Sequence, residues 1–122
     1  PAGPQGAWLK RTFWQVYNEN LVRDYANDRG RGLLATLPPA EHPALFLWLF
    51  PEDDIPQNVD RAYWLFNYFT ARASVQEYGG DRAGAVASYR RVLAIFNEEK
   101  YNASSAITTA KNADAAIKRL SH

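Results

Sequence analysis

The chain contains no cysteine and no methionine among its 122 residues. The lack of cysteine excludes disulfide bonds, thiolate catalysis and metal sites that depend on cysteine ligands. The two histidines, one of them the last residue, are too few for a histidine-rich metal site. Because even position 1 is not methionine, we expect that the chain was processed or excised. Together with an excess of arginine over lysine, this hints at a bacterial cell-envelope protein, although the sequence establishes no compartment.

Strong net charge and long apolar runs are missing as well. The formal net charge is +1, and charges of both signs are spread along the chain. Such a balance favours neither nucleic acid nor an anionic membrane as the main partner. The longest apolar run, residues 44–50, is far shorter than the roughly 20 residues that a membrane-spanning helix needs. We therefore expect no nucleic-acid partner and no membrane span in this chain.

Apolar and aromatic residues are plentiful. Hydrophobic residues make up 47% of the chain and aromatic residues 14%, which is enough for one domain with a single core. We predict a flexible tail rich in Pro and Gly at residues 1–6 and one helical domain at residues 7–122. A domain of this size cannot bury every Trp and Tyr, so we expect some exposed aromatic surface, which is typical of protein-interaction sites.

Apolar residues recur at spacings of three and four, which predicts helices. The predicted helices cover residues 7–27, 59–78 and 82–99, with a short helix that begins near residue 40 or 43 and ends at 50, and a last helix that follows a cap at 102 or 104 and ends near 120. The last helix carries a narrow stripe of mostly small residues, namely Ala103, Ala106, Ala110, Ala113, Ile117 and Leu120. A strand is the alternative for the short run at 44–50, and we prefer a helix because its neighbours are helical. An acidic loop bounded by prolines follows at 51–57. The predicted fold is all-α, a small antiparallel bundle of about five helices.

The helix predicted at residues 59–78 is apolar on two sides. Its two apolar faces consist of Ala62, Leu65, Phe66, Phe69 and Ala73, and of Trp64, Tyr68, Ala71, Val75 and Tyr78. A helix that is apolar on both sides is packed on both sides, so we predict that it is the central element. An uncharged polar strip between the faces consists of Tyr63, Asn67, Thr70 and Ser74.

A short Gly-Gly-Asp turn joins this helix to the next one. We expect Gly79 to provide a left-handed C-cap and Asp81 to cap the following helix. The residues after Gly80-Asp81, namely Ala85, Val86, Tyr89, Val92 and Leu93, resemble the second helix of a tetratricopeptide repeat. That repeat is a helical hairpin of about 34 residues.

The resemblance covers one degenerate repeat at about residues 58–99. In its first helix Phe69 matches the first aromatic residue of the family. Arg72-Ala73 replaces the Leu-Gly pair of the family, and the proline expected after the second helix is missing. The resemblance implies a tetratricopeptide-like hairpin in the C-terminal half, with the helix at 102–120 beginning the next repeat or capping this one.

In tetratricopeptide proteins the first helix of each hairpin lines the concave binding face. By this resemblance, Tyr63, Asn67, Thr70 and Ser74 are candidate contacts to another protein or to a peptide. Their amide and hydroxyl groups can donate to and accept from a peptide backbone. The alternative is that the strip faces solvent or another helix of this chain.

We therefore predict a non-catalytic protein–protein interaction module, such as an adaptor, scaffold, chaperone or inhibitor-like protein, with no cofactor and no metal. One alternative is a dedicated immunity-type partner that neutralises a toxin or an enzyme. Another is a small enzyme or ligand-binding domain that uses His42 with Glu52, Asp53 and Asp54 in an aromatic pocket. We expect instead that His42 is a surface loop residue between prolines, and that residues 52–54 form a solvated acidic turn.

Overall fold

The computed structural model describes Tyr25 and residues 36–121. The described helices are α1 (His42–Leu49), α2 (Arg61–Tyr78), α3 (Arg82–Glu99) and α4 (Ser104–Leu120), with short 3₁₀ turns at Pro39–Glu41 and Glu52–Asp54. No strand occurs in this part of the chain, so the all-α class is confirmed. The structure describes four helices rather than the predicted five. The tail at 1–6 and the helix predicted at 7–27 lie outside the described residues, except for Tyr25.

Helix α2 packs between α1 and α3. On one side, Phe46 of α1 lies against Tyr68 with ring centroids 5.8 Å apart, and Tyr68 Oη donates to the Phe50 carbonyl at 2.6 Å. On the other side, Ser88 of α3 donates to Gln76 Oε1 at 2.5 Å. The prediction that this helix is packed on two sides is confirmed. Because both of its apolar faces are covered by other helices, only the strips between them remain available to other groups.

The turn between α2 and α3 differs from the prediction by one residue. The left-handed glycine is Gly80, with φ of +82°, whereas Gly79 has φ of −82°, so the predicted left-handed cap at Gly79 is wrong. Gly79 is needed for a close approach instead, because a Cβ there would lie 2.5 Å from the Pro43 side chain. Asp81 caps α3 as predicted, since its carboxylate accepts from the Gly84 backbone N–H at 3.0 Å.

Helix α4 returns along α3 after a turn at Lys100, whose φ of 54° is left-handed. Ala110 and Ala113 of the predicted stripe are buried, together with Ala116, and these small side chains let two helices pack closely. Helix α4 packs against α3 and lies farther from α2. As a result, α2 and α4 rise from α3 as two walls with open space between them.

No helix among the described residues combines the length and the apolarity that crossing a bilayer requires.

Candidate functional site

A groove of about 960 Å³ lies between α2 and α4. Its α2 wall includes all four residues of the predicted strip, Tyr63, Asn67, Thr70 and Ser74. The strip therefore faces a cavity within the chain, and the structure brings its four residues together. Their role as contacts to a partner stays a prediction.

The opposite wall belongs to α4 and has a similar composition. Its lining residues include the polar side chains Ser105, Thr109 and Asn112 and the small residues Ala106, Ala113 and Ala116. Small side chains on both walls keep the space between the helices open. The three polar residues were missed from the sequence, where only the alanine stripe of this helix was considered. Their spacing of four and three residues was a usable signal.

Asn67 carries a buried donor without a partner. Its Nδ2 is inaccessible to solvent and has no hydrogen-bond acceptor among the described residues. A buried donor left unpaired costs about 1–3 kcal/mol, so the free protein is less stable than it would be with this amide satisfied.

In contrast to Asn67, the two threonines of the groove have partners for their hydroxyl donors. Thr70 Oγ1 donates to the Phe66 carbonyl at 2.8 Å, and Thr109 Oγ1 donates to the Ser105 carbonyl at 3.0 Å. Because each hydroxyl proton is used inside its own helix, each oxygen offers only lone pairs to the groove. The groove therefore offers a hydrogen-bond acceptor on each of its two walls.

One end of the groove is aromatic. The rings of Phe66 and Tyr101 meet nearly edge to face, with centroids 5.2 Å apart. Tyr63 also lines the groove, and its side chain is 43% exposed. Burial raises the pKa of Tyr101 above its ordinary value, and the nearby Glu99 carboxylate adds to this shift, so the phenol stays neutral. This end offers flat apolar surface with hydroxyl groups at its edge.

The other end of the groove is closed by an ionic contact. Glu77 of α2 accepts from Tyr89 Oη of α3 at 3.0 Å and from Arg119 Nη2 of α4 at 2.5 Å. The hydrogen bond and charge of Glu77 raise the pKa of Arg119 above its ordinary value. The positive charge of Arg119 is thus paired with the carboxylate of Glu77. The remaining charged lining residues, Glu99 and Lys100, have opposite signs.

His42 is buried, and the expectation of a surface loop histidine is wrong. It is the first residue of α1 and has no solvent exposure. Its Nε2 lies 3.3 Å from the Leu37 carbonyl oxygen, and its ring meets Tyr78 edge to face with centroids 5.4 Å apart. Pro43 favours the first turn of a helix, so α1 begins at His42. Packing against Tyr25 and Tyr78 then encloses the imidazole.

The acidic segment forms a 3₁₀ turn at Glu52–Asp54. Glu52 Oε1 lies 3.7 Å from Arg72 Nη1, whereas His42 has Tyr25 and Tyr78 as ring neighbours. His42 and Glu52 thus contact different residues. Across the described ranges, no three His, Asp or Glu side chains are grouped in a way that could hold a metal ion.

Comparison with known proteins found no relative of this chain. No protein-family model, no curated protein and no solved structure matches this chain.

Proposed function

We propose that this chain is a non-catalytic protein–protein interaction module that binds a segment of another protein in the groove between α2 and α4. The observation that carries the proposal is an open groove with uncharged polar side chains on both facing walls, namely Asn67, Thr70 and Ser74 on α2 and Ser105, Thr109 and Asn112 on α4. Amide and hydroxyl groups can donate to and accept from the main chain of a bound segment.

The shape of the groove supports a chain segment as the ligand. Its volume of about 960 Å³ is at the upper end of the usual range for ligand sites, roughly 300–1,000 Å³. The four strip residues extend from Tyr63 to Ser74, which corresponds to about 16 Å along α2 at a rise of about 1.5 Å per residue. A site of this length fits a stretch of polypeptide better than a compact small molecule.

The helix order supports a tetratricopeptide-like arrangement as part of this proposal. α2 and α4 both pack on α3, and the strip side of α2 faces the open space between them. In the tetratricopeptide family, which the α2–α3 hairpin resembles, the first helix of each hairpin likewise lines the binding face. Support from this resemblance is limited to the residues of the second helix that match the family pattern.

Selection from a random linear peptide library tests the proposal. The full 122-residue chain is immobilised, and enriched peptides are titrated against the wild type and two variants. Ser74→Trp fills the groove, and Thr108→Trp places the same side chain on an exposed position of α4 outside it. We expect Ser74→Trp to weaken binding roughly tenfold or more, the equivalent of about 1.4 kcal/mol, and Thr108→Trp to leave binding unchanged.

Circular dichroism of both variants confirms that they are folded. If no peptide is enriched, or if both tryptophan variants bind as well as the wild type, the proposal is wrong. The number of unrelated peptides recovered separates a general adaptor from a dedicated partner of one toxin or enzyme.

A further inference from the structure

We infer that the ligand of this groove is an extended peptide without charge, held mainly by hydrogen bonds to its main chain and not by the apolar face of a helix. This inference rests on the proposed function, because it names the class of segment that the same groove accepts.

The hydrogen-bonding groups of the groove suit an extended main chain. An extended peptide presents unsatisfied N–H and C=O groups along its length, whereas a helix satisfies them internally. The amide of Asn112, an exposed residue of the α4 wall, is available to a ligand carbonyl, and the hydroxyl oxygens of Thr70 and Thr109 are available to ligand N–H groups. Both kinds of group are therefore present within one site, on facing walls.

The length of the strip sets the size of the segment. Tyr63 and Ser74 are separated by about 16 Å along α2, and an extended chain rises about 3.3 Å per residue. A segment of about five residues therefore covers the strip.

A helical ligand fits these walls poorly. A helix with its side chains is about 10–12 Å wide, and it binds a groove through apolar residues on one face. Here such residues would cover Asn67, Thr70 and Asn112 and remove them from water without replacing their hydrogen bonds, which is costly. The aromatic end of the groove, next to Tyr63 and Tyr101, offers a larger apolar surface. This surface suits a single apolar side chain of an extended ligand.

Charge has little part in the recognition. Arg119 is paired with Glu77, and Glu99 and Lys100 are adjacent lining residues of opposite sign. A groove with balanced charges neither attracts nor repels a neutral peptide, so added salt should change its affinity very little.

The test uses a peptide recovered by the selection and the full chain. Single amide bonds of the peptide are replaced by esters, which removes one N–H at a time, and each analogue is titrated by calorimetry in low and high salt. We expect at least one ester analogue, and separately the Asn112→Leu protein, to bind roughly five- to thirtyfold more weakly. The matched Asn97→Leu variant, on the exposed side of α3 and outside the groove, should bind normally, and salt should change the affinity less than about twofold.

Isotope-filtered NMR of the bound peptide completes the test, with strong contacts between each Hα and the next amide proton expected for an extended chain. If the bound peptide is helical and insensitive to ester replacement, the inference is wrong while the proposed function stands. If affinity falls steeply with salt, recognition is ionic and the inference is also wrong. If photo-cross-linkers placed at Ser105 capture residues 1–35 of the same chain and no added peptide binds, the inference and the proposed function both fail.

Discussion

Arg119 and Glu77 lie 42 positions apart in the sequence, and their Nη2 and Oε2 atoms are 2.5 Å apart in the folded protein. Glu77 also accepts the Tyr89 hydroxyl proton. One carboxylate thus links α2, α3 and α4 at the end of the groove away from the aromatic residues. This contact connects the two walls at that end of the groove.

Replacing Glu77 by Gln tests this link. The amide keeps a hydrogen-bonding oxygen but loses the charge, so we expect a modest fall in melting temperature at low salt. The difference should shrink at high salt, because exposed ion pairs are screened. The matched control is Asp114→Asn, which alters the exposed pair of Asp114 and Lys118 within α4. Thermal unfolding followed by circular dichroism measures both, and an equal effect of the control would contradict the link.

Removing the Tyr68 hydroxyl should destabilise the protein. Tyr68 is fully buried, and its Oη donates to the Phe50 carbonyl at 2.6 Å. We expect Tyr68→Phe to lower the free energy of unfolding by about 1–2 kcal/mol, because a buried hydrogen bond is lost. Tyr63→Phe, at an exposed position, should change it by less than about 0.5 kcal/mol. Urea denaturation compares the two, and similar effects would show that the Tyr68 contact does not contribute.

The same residue should make the protein sensitive to alkali. Burial raises the pKa of Tyr68 above its ordinary value of 10.0, and the nearby Arg72 charge offsets this only in part. The unfolded chain then loses its phenolic proton at lower pH than the folded chain does. This contribution to stability is complete below pH 10 and is lost as the pH rises through the raised value.

We therefore expect the free energy of unfolding to fall as the pH rises above about 10. The fall should be smaller in Tyr68→Phe, since one raised phenol is removed. Urea titrations at several pH values measure it, and an equally steep fall in the variant would assign the effect to other groups.

Truncating His42 should cost more than truncating a larger exposed residue. His42 has no exposure, whereas Trp48 in the same helix is 75% exposed. We expect His42→Ala to lower the free energy of unfolding by roughly 2–4 kcal/mol, because it leaves a cavity, and Trp48→Ala to cost less. At temperatures where the variants are folded, peptide affinity should be unchanged. A selective loss of affinity in His42→Ala would instead favour the alternative in which His42 serves a ligand site.

Replacing Asn67 should stabilise the protein. Asn67→Leu removes the buried unpaired amide, so we expect the free energy of unfolding to rise by about 1 kcal/mol. Asn97→Leu at an exposed position should leave it unchanged. Urea denaturation of both variants measures the effect, and a loss of stability in Asn67→Leu would show that the amide has a structural role.

The helices of the described region and the central place of α2 were predictable because they depend on residues close in sequence. Trp64 and Tyr68 fall on one side of α2 and Phe66 and Phe69 on another at a fixed rotation per residue. The same periodicity singled out the strip that lines the groove. Asp81 was recognisable as a cap because capping involves a neighbour three residues away.

Other features depended on contacts between distant residues. Gly79 accommodates Pro43 of α1 and leaves the left-handed position to Gly80. No local pattern distinguishes these two glycines. His42 was expected at the surface because its loop is polar and rich in proline, yet the packing of α1 against Tyr25 and Tyr78 encloses its ring.

The amino-acid sequence alone determined which side chains share the polar strip of α2, because a helix places residues three and four positions apart on one face. Only the tertiary structure decided that the strip faces a groove, since this required α4 to pack on α3 through its alanines and to be tied to α2 by Arg119 and Glu77. It also left the Asn67 amide buried without an acceptor. A donor becomes unsatisfied only when surrounding elements exclude water, and that exclusion is a property of the assembled helices.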